Sequence, residues 1–190
     1  MTMLATAARD VLDFWFVQAG PDRWFGGDAG FDAEIRARFL TLQEAAAAGQ
    51  LDDWAGTPLG ALALCLVLDQ FPRNLFRGTA RAFATDPKAR AVARAAIDQG
   101  FDVDPGIDND HRLFFYLPFE HSEDLEDQRR SVALQRDRMT GPDVDPSYVD
   151  YAQRHLAVIE RFGRFPHRNA ILGRASTPEE EAHLAKHGGF

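Results

Sequence analysis

Lysine is almost missing from this chain. Only Lys88 and Lys186 are lysines among its 21 basic residues, so the other 19 are arginine. Arginine suits two-pronged contact with carboxylate or phosphate and partly buried pairing. Cysteine occurs once, at Cys65, which excludes an internal disulfide and a cysteine-based zinc site. Its neighbours Leu64, Leu66 and Val67 predict an inert buried thiol. Net positive charge is lacking too: the formal charge is −8, which argues against a nucleic-acid partner. The longest run without a charge or strongly polar group is roughly Pro58 to Leu68, well short of the ~20 residues that span a membrane. The start, M-T-M-L-A-T-A-A-R-D, has no basic segment followed by an apolar one, so a cytoplasmic location is expected. No G-x-x-x-x-G-K, G-x-G-x-x-G or G-x-S-x-G occurs, and no cofactor is expected.

Strand-period runs and hairpin signals are also absent, and helix starts take their place. Thr57-Pro58, Asp86-Pro87, Asp145-Pro146 and Thr177-Pro178 each set a capping residue before a proline at the first helical position. Phe31, Ile35, Phe39 and Leu42 form a stripe of helical period. The pattern predicts helices over Ala5 to Val17, Phe31 to Ala48, Pro58 to Gln70, Pro87 to Gln99 and Asp110 to Leu117. Further helices are expected from a Ser122 cap to Met139, over Pro146 to Phe162, and from Pro178 toward Gly188-Gly189-Phe190. Phe71 precedes Pro72 and should leave the α region, ending the third helix. Pro118 should end the fifth. The expectation is one all-α domain over residues 1–190, with about eight helices in irregular antiparallel pairs.

The charges separate into islands. Gln70 to Thr85 holds Arg73, Arg77 and Arg81 without an acid, and Arg161 to Pro178 holds Arg161, Arg164, Arg168 and Arg174 without one. Leu117 to Gln128 holds Glu120, Glu123, Asp124, Glu126 and Asp127 without a base. Helix dipoles explain part of this, but such contacts contribute only ~0.3–1 kcal/mol each. Burying further arginines costs several kcal/mol apiece unless they are paired. Asp69 closes an apolar helix, so it should be buried and paired with Arg73 or a neighbour.

Three segments carry a resemblance: L-D-Q-F-P-R-N-L-F-R-G-T-A-R-A-F-A-T-D-P, L-P-F-E-H-S-E-D-L-E-D-Q and R-F-G-R-F-P-H-R-N-A-I-L-G-R-A-S-T-P-E-E. With V-L-D-F-W-F near the start, they are similar over nearly the whole chain to a bacterial family known as a domain of unknown function, number 924. The resemblance implies an all-helical, tetratricopeptide-repeat-like fold and no particular activity. Its motif residues here are Asp69, Gln70, Arg73, Asn74, Arg77, Glu120, His121, Glu123, Arg164, His167, Arg168 and Asn169.

Those residues, with Arg81, are the candidate ligand-binding set; no catalytic residue is assigned. The first expectation is a binding module for a small anionic molecule or a peptide, the two Phe-Pro turns meeting in one groove. The alternative is an enzyme acting on a small anion, with His121 or His167 as acid/base and Glu120 or Glu123 orienting it. A purely structural charge network in an interaction scaffold is the third reading. Asp108-x-x-His111 has carboxylate–histidine spacing but lacks partner ligands, so no metal is expected.

Overall fold

The computed structural model describes residues 4–142 and 144–189. Met1–Met3, part of the N-terminal stretch read above, and Phe190 lie outside the described residues. The described residues are helical or irregular, with no strand among them. The chain is all-α. Chain contacts divide it into two compact units: residues up to Arg77 with Arg81–Pro118, and Gly78–Ala80 with Phe119 onward.

The first unit begins with α1 (Thr6–Leu12), which widens into a π-helix over Asp13–Ala19. One turn, α2 (Pro21–Trp24), leads to α3 (Ala29–Ala47). Asp28 caps α3 by accepting from the Gly30 N–H at 2.8 Å. Next come α4 (Pro58–Cys65), a second π-helix (Leu66–Gln70), α5 (Phe71–Leu75) and α6 (Asp86–Asp98). Thr57 caps α4 as its sequence predicts, accepting from Gly60 at 3.2 Å. A side chain at Gly60 would meet the Trp54 carbonyl oxygen at 2.2 Å, so only glycine allows that approach. α4 packs on α1 and α6, and α3 on α5. An aromatic core joins them: Trp15 lies 5.8 Å from Phe31, 5.8 Å from Phe71 and 5.6 Å from Phe114.

Phe71 does not end the helix. It stays in the α region, at φ −58° and ψ −39°, and α5 continues through Pro72. The π turn explains this departure from expectation. Its wider ring joins the Phe71 N–H to the carbonyl five residues back, on Leu66, and gives the proline room. α7 (Asn109–Glu120) likewise runs on through Pro118. Asp86 is no cap either. It is the first residue of α6, and its carboxylate turns toward Arg73.

The second unit holds α8 (Leu125–Arg138), α9 (Ser147–Phe162) and α10 (Pro178–His187). α8 packs along α9, and Val158, Ile159 and Phe165 form a core with Leu125 and Phe162 against it. The cap of α8 is Asp124 rather than Ser122. Asp124 accepts from Glu126 and Asp127, while Ser122 donates to Asp127 at 2.9 Å. A side chain two residues nearer the helix reaches its first N–H groups directly. Thr177 and Glu180 form a reciprocal capping box at α10. No helix among the described residues is long and apolar enough to cross a membrane.

Candidate functional site

The first basic turn, in the first unit, is closed by its own acids. Arg73 forks onto Asp86 at 3.0 and 3.1 Å and reaches Asp69 at 3.2 Å. Asp69 is 1% exposed, which the apolar run before it predicted, and Gln70 donates to its carboxylate. Burial works against the Arg73 charge, but Asp69 and Asp86 outweigh it and raise its pKa further. Arg77 forks onto Asp32 at 2.7 and 2.9 Å, and Asn74 donates to the same carboxylate at 2.8 Å. Burial would raise the Asp32 pKa; the bonds from Arg77 and Asn74 hold it below the usual range. Arg81 meets Glu44 at 3.2 Å and lies over the Phe76 ring at 3.9 Å.

In the second basic island, Arg161, Arg164 and Arg174 are tied the same way. Arg161 holds Glu179 at 2.6 Å. Arg164 forks onto Glu180 at 2.6 and 2.9 Å. Arg174 forks onto Glu123 at 2.6 and 2.8 Å, which joins the acidic island to the second basic one. Asn169 accepts from Arg174 at 3.0 Å and donates to Ser176 and Glu180. Glu123 also accepts the Phe165 N–H at 2.8 Å, and these donors overcome burial to lower its pKa. The Arg164 bond, then the Thr177 N–H, bring Glu180 down to about 2.

A different cluster surrounds Phe165. The Arg168 guanidinium lies over this ring at 4.4 Å and donates to the His121 carbonyl at 2.9 Å. His167 and His155 each approach the ring at 5.6 Å, and His155 is 6.4 Å from His121. Three of the chain's six histidines therefore gather at one corner. His155, 7% exposed, puts Nδ1 2.9 Å from the Tyr151 carbonyl and 3.1 Å from Glu120, itself 3% exposed. Both neighbours are acceptors, which assigns the proton of the neutral ring to Nδ1. Burial, with the charges of His121, Arg168 and His167, pushes His155 down to about 3 against the pull of the Tyr151 carbonyl. It is neutral near pH 7.

Glu120 is held from α8 as well. Gln135 donates to its carboxylate at 2.7 Å and Gln128 to its carbonyl. With their nitrogens committed, the amide oxygens of Gln128 and Gln135 are buried without a hydrogen-bond partner. A buried orphan of this kind costs about 1–3 kcal/mol.

A family description, "Bacterial protein of unknown function (DUF924)", matches residues 11–188. The chain belongs to this family. A solved structure of a protein of unknown function from Agrobacterium tumefaciens, ATU0120, is similar: 48% identical, over 93% of this chain and 96% of that one, with a TM-score of 0.86. No curated protein matches. The family assignment brings no activity, so the geometry has to carry the reading of this member.

The candidate residues thus fall into two groups. Asp69, Gln70, Arg73, Asn74, Arg77 and Arg81 build the turn of the first unit; Glu120, His121, Glu123, Arg164, His167, Arg168 and Asn169 build the corner of the second. His155 was absent from the candidate set. Its signal lay in α9, where Ala152, His155 and Ile159 share one buried stripe and a histidine stands at an apolar position. Gln128, Ser131 and Gln135 make a similar polar stripe on α8, all buried. Asp108 accepts from the His111 N–H at 2.9 Å and meets its ring at 2.5 Å, as a helix cap does. No group of three or more His, Cys, Asp or Glu among the described residues is placed to hold a metal ion.

Proposed function

We propose that this family member binds a small anion, or the carboxylate of a peptide, at the Phe165 corner of the second unit. Arg168 supplies the fixed charge, and His121 and His167, both partly exposed, supply donors that solvent can reach. The observation that carries this reading is the gathering of imidazoles and one guanidinium on a single ring. Arg161, Arg164 and Arg174 already serve the carboxylates that hold the corner together. The first basic turn drops out of the proposal, because Arg73, Arg77 and Arg81 each close on an acid of their own unit.

The Glu120–His155 contact favours a second reading, proton transfer at the same corner. A carboxylate behind an imidazole is the arrangement of an oriented general base. A ring whose pKa has fallen to about 3 takes protons weakly at neutral pH, so binding ranks first. Titration calorimetry with inorganic phosphate, acetate and succinate tests the binding reading. At least one should bind, and Arg168→Gln and His167→Gln should each weaken it tenfold or more. Arg77→Gln, in the other turn, should change nothing. Binding that survives both corner substitutions in folded protein defeats the proposal.

A further inference from the structure

The last helix carries a pair of imidazoles that the Phe165 corner does not use. His183 and His187 stand four residues apart on α10 and share one face. Their ring centroids are 4.9 Å apart and their planes 33° from parallel. Two imidazoles that share a metal ion meet at about this distance. With each nitrogen ~2.1 Å from the ion and an angle of ~90–109° between them, the centroids lie roughly 4.6–5.3 Å apart.

The surroundings suit a cation. Nδ1 of His183 is buried without a hydrogen-bond partner, in a ring that Phe162 crosses at 5.1 Å and 61°. The negative face of an aromatic ring suits an N–H and disfavours a lone pair. That assigns the proton of the neutral imidazole to Nδ1 and leaves Nε2 with an open lone pair. His183 is partly exposed and His187 fully so. Burial, then the charges of His187 and Arg161, lower the His183 pKa, so its ring is neutral near pH 7. Arg161 is itself held by Glu179 at 2.6 Å. His187 is the last residue of α10, at the end where the helix dipole favours positive charge.

We infer that His183 and His187 clasp one divalent cation of the zinc, nickel and copper class. Imidazole suits those ions, whereas magnesium and calcium take oxygen ligands. No group of three protein ligands forms among the described residues, so water or an outside ligand completes the coordination. A structural zinc site closes with four protein ligands. Two make an open, reversible site. The inference does not rest on the anion reading, because neither histidine belongs to the Phe165 corner.

Calorimetry of the intact, untagged chain with zinc, nickel and magnesium chlorides tests it. One zinc or nickel ion should bind per chain, and magnesium should not. His183→Gln and His187→Gln should each weaken zinc binding tenfold or more. His187 is exposed, so His187→Gln should leave the melting temperature without metal unchanged, which separates a lost site from a lost fold. Copper(II) should show two nitrogen ligands by electron paramagnetic resonance, and one in either variant. Zinc binding that survives His187→Gln, or that falls as far with His121→Gln, overturns the inference. Magnesium binding as tightly as zinc, or no zinc binding at all, overturns it too.

Discussion

Asp69 was legible from its setting: an acid at the end of an apolar helix must find a cation, and an arginine follows four residues later. The structure adds Asp86, which the sequence had marked as a helix cap. Arg73 thus stands between two carboxylates that are 1% and 5% exposed. Removing one partner of such a group leaves buried charge behind, at a cost of ~3–5 kcal/mol. Arg73→Met should therefore lower the urea unfolding free energy by about that much. Adding Asp69→Leu should recover part of it. A loss below ~1 kcal/mol, the value of an exposed pair, would mean the acids do not depend on Arg73. His155 was not legible in the same way. A lone histidine in a helix reads as surface until its neighbours on the stripe are known to be buried.

Where a threonine precedes a proline, at Thr57 and Thr177, the cap was readable; at Asp86 and Ser122 it was not, because each side chain is drawn to another partner, Arg73 and Asp127. Boundaries set by backbone register were not readable either. Proline before an acidic or arginine-rich turn reads as a stop, because its ring crowds the previous turn and it offers no N–H. Here a π turn relieves the crowding, and a residue far along the chain answers the missing N–H. The Leu68 carbonyl, four residues before Pro72, accepts from the Thr85 hydroxyl at 2.6 Å. No local pattern links positions 68, 72 and 85. Thr85→Val keeps the shape and removes the donor, so it should destabilise by ~1–3 kcal/mol. In a Pro72→Ala background, where residue 72 regains an N–H, the same change should cost measurably less. Equal costs in both backgrounds, by denaturant titration, would show that Thr85 does not stand in for the proline.

Across the whole molecule, the fold class and the segregation of charge were legible, but the pairing was not. Arg77 finds Asp32 45 residues away and Arg174 finds Glu123 51 away. Composition counts the charges without matching them. The pairing leaves a signature in acid, where 29 carboxyl groups begin to take up protons. Glu180 drops from 4.5 to about 2 on folding. Its contribution is complete above its unfolded pKa and is lost as pH falls through the folded one, because the unfolded chain binds the proton first. Asp32 and Glu123 shift in the same direction. His155, lowered from 6.5 to about 3, obeys the same sign from a higher start: the unfolded ring protonates first, and stability declines from about pH 6.5 downward. Two windows should therefore separate in melting temperature against pH. His155→Gln should flatten the decline between pH 6.5 and 4.5. Glu180→Gln should melt below the wild type by a constant margin above pH 5, and that margin should close as pH approaches 2. A margin that widens in acid would place the Glu180 charge outside the forces that hold the corner together.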